Sequence, residues 1–383
     1  MTTPLRTLLL IPDIPDAGAL LPYLRRIDAA RWYSNFGPLV CELESRLASS
    51  FAAANPEGVH VATVSNATAG LELALAALSL PAGAHVLLPA LTFVATAAAV
   101  QRAGHVPVAC DVDPETWLLT PQIAARVVKS RTIEVVMPVA TFGVQVDAAA
   151  WQRFSSESGI PVIIDAAAAF GNQQALAGLT AVYSMHATKP LAAGEGGFVV
   201  SASRNLVEHV RRLSNFGIHL GDVASVPIGV VIQAGTNAKL SEYHAAVGLA
   251  SLDRWEALAE RRLNLANRYL ERMCELTSGD AVQVQVGSET AVRSSLCVAF
   301  ADDRSCSRVR ALMARRGIAT RTWYCPLIPD HPAFSGSADG IDLKVARHLS
   351  GRLMGLPFYP AMADTQWQEV CEVVAEGLLL APV

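Results

Sequence analysis

Residues 161–201 read PVIIDAAAAFGNQQALAGLTAVYSMHATKPLAAGEGGFVVS and contain three short apolar runs that are rich in valine and isoleucine. The runs PVIID, AVYSM and GFVVS predict strands buried on both faces, because they are almost continuously apolar. Similar runs precede them from residue 58 onward: VHVATV, HVLLP, VPVACDV and EVVMPVA. Helical stretches separate most of these runs. The alternation predicts βαβ units and an α/β fold with a mostly parallel sheet between helices.

The length of 383 residues predicts two domains, at about 150 residues per domain. We expect a large domain at residues 1–250 and a smaller C-terminal α/β domain at residues 251–383. Residues 18–54 read as one or two helices beside the turn RWYSNFGP. Apolar residues at helical spacing between residues 240 and 276 predict long helices near the boundary, and LCVAF and RVRALMARRGI predict a strand and a helix beyond it.

The composition indicates a large buried core. Hydrophobic residues make up 52% of the chain, charged residues 17%, and the mean hydropathy is +0.33. Two prolines and a glycine (Pro81, Gly83 and Pro89) break the longest uncharged stretch, residues 73–101. That stretch therefore predicts helix, strand and helix instead of a membrane span. A net charge of -4 argues against a broad basic surface for nucleic acid.

The cysteines and histidines show no metal-binding or disulfide pattern. The seven cysteines are scattered without a CxxC pair, and the nine histidines lack HExxH or HxH spacing. The apolar run LLLIP near the N-terminus is too short for a signal-peptide core. We therefore expect no metal site and a reducing, cytoplasmic setting.

Polar residues follow two of the predicted strands. Ser65-Asn66-Ala67-Thr68 comes after VHVATV and before an amphipathic helix, and such a turn suits either a phosphate or an ordinary helix cap. Asp165 ends the buried run PVIID, where a carboxylate needs a partner. That partner could be a protonated heteroaromatic nitrogen, or Asp165 could cap the next helix.

The chain has four lysines, and any lysine chemistry must come from them. Lys129 and Lys344 lie in polar surroundings typical of the surface, and Lys239 follows a GTN turn where it could touch an anion. Lys189 is flanked by apolar and small residues, and burial makes a lysine more nucleophilic by lowering its pKa. Elimination makes Lys189 the Schiff-base candidate, with a solvated loop lysine as the alternative.

Together these residues have the layout of a pyridoxal phosphate site. A strand-end aspartate keeps the pyridine nitrogen protonated, a lysine about two dozen residues later holds the cofactor, and an earlier turn binds the phosphate. Phe93 follows another predicted strand and could stack on the cofactor ring or pack in the core.

From about residue 20 to residue 365 the chain resembles the DegT/DnrJ/StrS aminotransferases. The matching stretches are GPLVCELE, VSNATAGLELAL, PALTFVATAAAVQRAGHVPVACDVDPETW, IIDAAAAFG, SMHATKPLAAGEGGFVV, NFGI, GTNAKLSEYHAAVGLASL, TRTWYCPL, HPAF and LPFYP. The resemblance implies a fold-type-I enzyme that uses pyridoxal 5'-phosphate to aminate nucleotide-linked keto-sugars. It also implies a homodimer with active sites at the subunit interface.

The resemblance assigns roles by position. Lys189 matches the Schiff-base lysine and Asp165 the partner of the pyridinium nitrogen. Glu195 lies in the GEGG loop close to the lysine. The remaining matches are cofactor contacts: Ala67, Thr68 and Ser184 at the phosphate, Phe93 over the ring, and Asn237 at the phosphate of the neighbouring subunit's cofactor.

The chain departs from the family pattern at several contacts. Ala168 stands where many members have glutamine or histidine against the phenolic oxygen, Ala140 replaces a frequent histidine, and Lys239 a frequent arginine. The forms ATFG, SNAT and SMHATKP resemble a sub-branch that aminates deoxy keto-sugars on deoxythymidine diphosphate. Another branch has lost the lysine and dehydrates its sugar, and Lys189 argues against that chemistry here.

We expect transamination from an amino acid, glutamate, with Arg321, Tyr324 and His331 as substrate contacts. Three alternatives stay open at this stage. The first is an enzyme of the same fold that acts on a non-sugar substrate in a natural-product pathway. The second is a non-catalytic sensor of pyridoxal phosphate. The third is a Rossmann dehydrogenase, which is disfavoured because no GxGxxG follows any strand.

Overall fold

The computed structural model describes residues 5–55, 57–176, 178–221, 223–277, 281–287 and 289–379. The α-helices of this part of the chain are α1 (Ala17–Ala30), α2 (Pro38–Ser49), α3 (Ala67–Ala77), α4 (Val94–Arg102), α5 (Pro121–Val128), α6 (Ala148–Ser158), α7 (Arg204–Ser214), α8 (Glu242–Asp253), α9 (Trp255–Leu276), α10 (Asp303–Arg315), α11 (Lys344–Ser350) and α12 (Asp364–Leu379). The strands are β1 (His60–Val64), β2 (His85–Pro89), β3 (Val106–Cys110), β4 (Val135–Val136), β5 (Ile163–Asp165), β6 (Thr180–Ser184), β7 (Gly197–Ser201), β8 (Val282–Val284), β9 (Leu296–Phe300) and β10 (Leu353–Leu356).

The large sheet is mostly parallel, as the sequence predicts. Its strands pair in the orders β3-β2-β4 and β5-β6-β7-β1. Parallel bridges between Val136 and Val162 and between Val139 and Asp165 join the two groups. β7 runs antiparallel to both of its neighbours, β1 and β6, whereas β2 pairs in parallel with β3 and β4, and β5 with β6. One reversed strand thus interrupts an otherwise parallel sheet.

Helices cover both faces of this sheet, which explains why its strands are almost continuously apolar. Neighbouring strand residues belong to different cores: Ile163 and Val182 pack with α3, α4 and α7, whereas Ile164 and Ala181 pack with α2 and α8. A strand enclosed in this way must be apolar at every position. Gly70 brings α3 close to the sheet, because a Cβ there would lie 2.8 Å from the Val182 side chain.

A third core lies in the C-terminal part of the chain. The antiparallel sheet β10-β9-β8 packs with α9, α10 and α12, around Tyr269, Phe300 and Trp367 among others. The N-terminal segment also reaches this region, since Thr7 forms a parallel bridge with Ile318. The division into domains at residue 250 remains a prediction.

The stretch at residues 73–101 is broken as predicted. α3 ends at Ala77, β2 spans His85–Pro89 and α4 begins at Val94. Among the described helices, none combines the length and the apolar character needed to cross a bilayer.

Candidate active site

A pocket lies at the carboxyl ends of the parallel strands, where ligands bind in sheets of this kind. The loops after β1, β2, β4, β5 and β6 contribute to it, together with a segment between α10 and α11. The predicted site residues that line this pocket are Ala67, Thr68, Phe93, Asp165, Ala168, Lys189 and Tyr324. The fold therefore brings together residues that are far apart in the sequence.

The first turn of α3 forms one end of the pocket. The Asn66 side chain caps the helix by accepting a hydrogen bond of 2.9 Å from the backbone N–H of Ala69. Helix geometry leaves the N–H groups of Ala67 and Thr68 without partners inside the helix. Gly197, at the start of β7, packs against this turn so closely that a Cβ would lie 2.6 Å from the Ala67 nitrogen. The turn offers N–H groups and the positive end of the helix dipole to an anion.

Asp165 is held rigidly at the end of β5. Its own N–H donates to Pro138, and its carbonyl accepts from Ala140, both at 2.9 Å. The carboxylate is 5% exposed. Oδ2 accepts a hydrogen bond of 2.8 Å from the Thr96 hydroxyl, and Oδ1 accepts one of 3.1 Å from the N–H of Ala167.

Opposing effects act on the ionisation of this carboxyl group. Burial is the largest effect and leaves the pKa of Asp165 above its ordinary value, although the hydrogen bonds from Thr96 and Ala167 and the charge of Lys189 lower it. A buried carboxylate in this position is stabilised further by any cation that binds in the pocket.

Lys189 lies in the loop between β6 and β7. Its N–H donates to the His186 carbonyl at 2.9 Å, and the loop is closed where Met185 donates to Gly196 at 2.8 Å. Desolvation lowers the pKa of Lys189, and the charge of Asp165 opposes that effect. Lys129 and Lys344 are exposed, in contrast. A half-buried lysine with a lowered pKa in a pocket suits a nucleophilic amine.

Three aromatic side chains stand at the other side of the pocket. Tyr324 stacks on Phe142 with ring centroids 5.0 Å apart, and Phe93 lies 5.9 Å from Tyr324. Phe93 is 51% exposed, so that its ring forms part of the pocket mouth and not of the core. Burial raises the pKa of Tyr324, and the nearby charge of Asp165 raises it further.

Four predicted residues do not line this pocket: Ser184, Asn237, Arg321 and His331. Ser184 is buried, and its hydroxyl accepts from the His186 N–H at 3.2 Å. Asn237 is exposed and accepts a hydrogen bond of 2.8 Å from Lys239. The Arg321 guanidinium lies 4.3 Å from the centre of the Trp323 ring.

Thr92, Thr141 and Phe142 line the pocket without having been predicted from the sequence, and Thr96, which contacts Asp165, was not predicted either. A signal for Thr92 and Thr96 existed. They lie four residues apart where a predicted strand gives way to a helix, a spacing that places both side chains on one face. No comparable pattern marks Phe142.

Sequence and structure comparisons relate this chain to known proteins. A model of the DegT/DnrJ/EryC1/StrS aminotransferase family matches residues 17–375. Protein Rv3402c of Mycobacterium tuberculosis is 33% identical over 96% of this chain and 89% of its own length. The dTDP-4-amino-4,6-dideoxy-D-glucose transaminase of Shigella dysenteriae is 27% identical over 95% of this chain and 97% of its own. The crystal structure of DesI in the presence of its TDP-sugar product is 30% identical, with a TM-score of 0.83 over 97% of this chain and 93% of that one.

Proposed function

Because the chain belongs to the DegT/DnrJ/EryC1/StrS aminotransferase family, and is thus a pyridoxal-phosphate-dependent transaminase of fold type I, we propose a specific reaction for it. It transfers the amino group of glutamate to a keto-deoxysugar carried on deoxythymidine diphosphate. The observation that supports a catalytic role most directly is the meeting of Lys189 and Asp165 in one pocket beside the first turn of α3. Two relatives, a dTDP-aminosugar transaminase and a protein with a TDP-sugar product, support the substrate class.

The residues of the pocket fit the cofactor. The free N–H groups of Ala67 and Thr68, with the hydroxyl of Thr68, suit the phosphate. The buried carboxylate of Asp165 suits a protonated pyridine nitrogen, since a cation beside it offsets its desolvation. In our proposal Phe93 covers the ring, Ala168 lies beside it, and Ser184 contributes through the loop that it fixes.

Lys189 carries the proton transfers in this proposal. Bound pyridoxal phosphate supplies an electron sink for the negative charge that develops beside the amino nitrogen. As a free amine, Lys189 would take the proton from Cα of the amino-acid donor through Nζ and pass it to the bound cofactor, where the amino group would stay while 2-oxoglutarate leaves. In the second half of the reaction Lys189 would take a proton back from the cofactor and give it to the carbon of the sugar that receives the amino group. Because burial lowers its pKa, Lys189 is neutral more often than an exposed lysine, as the first of these steps requires.

The substrate's diphosphate needs cations from outside the pocket. Among the described residues that line it, Lys189 is the single cationic side chain. We propose that Arg321 provides one contact, because it lies three residues before Tyr324, and that His331 lines the sugar end. The alanines at positions 140 and 168 leave an apolar wall, which favours a sugar that lacks a hydroxyl on that side.

A homodimer is part of the proposal. Asn237 is exposed and is not among the residues that line its own pocket, as expected for a residue that completes the site of a second subunit. Large apolar side chains are exposed near it in sequence, including Phe216, Val231 and Tyr243, each at least 48% exposed. Exposed apolar residues of this size favour an interface.

The absorbance of the purified holoenzyme tests the reaction. Glutamate should remove the visible band of the bound cofactor, and a deoxythymidine-diphosphate-linked keto-deoxysugar should restore it. Lys129→Ala, at an exposed position, is the control and should show both changes, whereas Lys189→Ala should lack the band from the start. If glutamate removes the band and no sugar nucleotide restores it, the substrate is not a sugar and the alternative of a natural-product ketone replaces this proposal.

A further inference from the structure

The hydroxyls of Thr92 and Thr96 form a hydrogen-bonded chain that ends at the Asp165 carboxylate. The Thr92 and Thr96 hydroxyl oxygens are 3.0 Å apart, and the Thr96 oxygen is 2.8 Å from Oδ2 of Asp165. All three side chains are buried: Thr96 is 0% exposed, Thr92 2% and Asp165 5%. Water therefore does not compete for these hydrogen bonds, and each hydroxyl must find its hydrogen-bond partners within the protein.

The direction of the hydrogen bonds follows from the chemistry of the groups. An ionised carboxylate can only accept, so Thr96 donates its single hydroxyl proton to Asp165. The bond between the threonines must then run from Thr92 to Thr96. Each bond in such a chain polarises the next, which strengthens the last donation to the carboxylate.

We infer that Thr96, oriented by Thr92, is a positioning residue that fixes the Asp165 carboxylate in the orientation that meets the cofactor's pyridine nitrogen. The inference rests on the role proposed above for Asp165. Thr96 anchors Oδ2 while the N–H of Ala167 anchors Oδ1, so both oxygens are held and the carboxylate does not rotate. Fixed acceptors of this kind lower the cost of binding a cation, because no reorganisation is needed.

The first turn of α4 connects these threonines to Phe93. Thr96 lies in the first turn of α4, and Phe93 is the residue that precedes that helix. The N–H of Thr96 donates to the Phe93 carbonyl at 3.2 Å. The same turn therefore serves two proposed cofactor contacts. Through Thr96 it holds Asp165, the proposed partner of the pyridine nitrogen, and it also carries Phe93, which is proposed to cover the ring.

The test compares variants that keep the shape of the side chain. Thr96→Val replaces the hydroxyl by a methyl group, Thr96→Ser restores it, and Thr92→Val removes the hydroxyl that orients it. Pyridoxal phosphate is titrated into each apo-protein, and the melting temperature of the apo-protein is measured in parallel. We expect Thr96→Val to lower the affinity for pyridoxal phosphate about tenfold and Thr92→Val to lower it about threefold. The affinity of Thr96→Ser should stay within about twofold of that of the original chain.

Equal cofactor affinity in Thr96→Val and the original chain would overturn the inference. So would a Thr96→Ser variant as weak as Thr96→Val, because the hydroxyl would then have no role. If Thr96→Val does not fold, Thr92→Val tests the same inference, because Thr92 acts on Asp165 through its hydrogen bond with Thr96. The affinity of Asp165→Asn for pyridoxal phosphate is measured alongside. An unchanged affinity in Asp165→Asn refutes the role proposed for Asp165. A weaker affinity in Asp165→Asn with an unchanged affinity in Thr96→Val refutes only the positioning role of Thr96.

Discussion

Asp165 and Lys189 line the same pocket, and the charge on each favours the charged form of the other. Lys189 lowers the pKa of Asp165, and Asp165 raises the pKa of Lys189, while desolvation acts against both. For Lys189 desolvation is the larger effect, so its pKa lies below the ordinary value of 10.5. The pair therefore combines a carboxylate that favours a bound cation with an amine that loses its proton more easily than a surface lysine.

Removing the amine should abolish turnover without unfolding the chain. We expect Lys189→Ala to lower kcat by a factor of about 10² to 10⁴, the usual contribution of a general acid and base. The variant should also lose the visible band of the bound cofactor while its circular dichroism is unchanged. Lys129→Ala is the matched control, since Lys129 is exposed, and should keep full activity. Substantial turnover by Lys189→Ala would refute the assignment.

The lowered pKa of Lys189 predicts how covalent uptake of the cofactor depends on pH. Below that pKa the amine is protonated and unreactive, and above it the amine is neutral and attacks. The rate of uptake by the apo-protein, trapped with borohydride and measured by mass spectrometry, should rise with pH and level off below 10.5. A rate that still rises steeply at that pH, as expected for an exposed lysine, would contradict the effect of desolvation.

Gly197 should be needed for cofactor affinity, although it carries no side chain. A Cβ at this position would lie 2.6 Å from the Ala67 nitrogen and 2.8 Å from the Asn66 carbonyl carbon, and backbone atoms cannot move aside as a flexible side chain would. We expect Gly197→Ala to displace the first turn of α3 and to weaken binding of pyridoxal phosphate by more than about tenfold. Gly18→Ala adds the same methyl group on the exposed side of α1 and should leave the affinity unchanged.

Glu242 should contribute strongly to stability, because it caps another helix from a distance. Its carboxylate is buried, 1% exposed, and accepts from the N–H groups of Leu39 at 2.8 Å and Val40 at 2.9 Å. Leu39 and Val40 lie in the first turn of α2, whose N-cap residue Gly37 has no side chain that could accept hydrogen bonds from their N–H groups. Glu242→Ala should lower the free energy of unfolding by about 3 kcal/mol.

Denaturant unfolding of the apo-protein measures this loss. The matched control is Glu256→Ala, at an exposed position in the first turn of α9, which should change the free energy of unfolding by less than about 0.5 kcal/mol. Equal effects of the two substitutions would show that the buried carboxylate contributes nothing special.

The sequence predicts the strands well because burial on both faces forces a continuous apolar pattern. That same pattern hides the direction of a strand, so the reversal of β7 is visible only in the pairing. Lys189 could be predicted as a site candidate by elimination among four lysines. Asp165 could be predicted because a carboxylate at the end of a buried strand needs a partner. The approach of Gly197 to Ala67, and of Tyr324 to Phe142, depends on how distant segments pack, which no local pattern records.

The proposed dimer predicts complementation between two inactive variants. If Asn237 completes the partner's site, a mixed dimer of Lys189→Ala and Asn237→Ala subunits has one site with both substitutions and one site with neither. Co-refolding equal amounts gives mixed dimers in half of the population, so activity should return to about a quarter of that of the unsubstituted enzyme. Each variant alone should remain inactive or strongly impaired. If mixing restores nothing while the mixed dimer forms, Asn237 serves its own subunit, because each site of the mixed dimer then carries one of the two substitutions and neither site is intact.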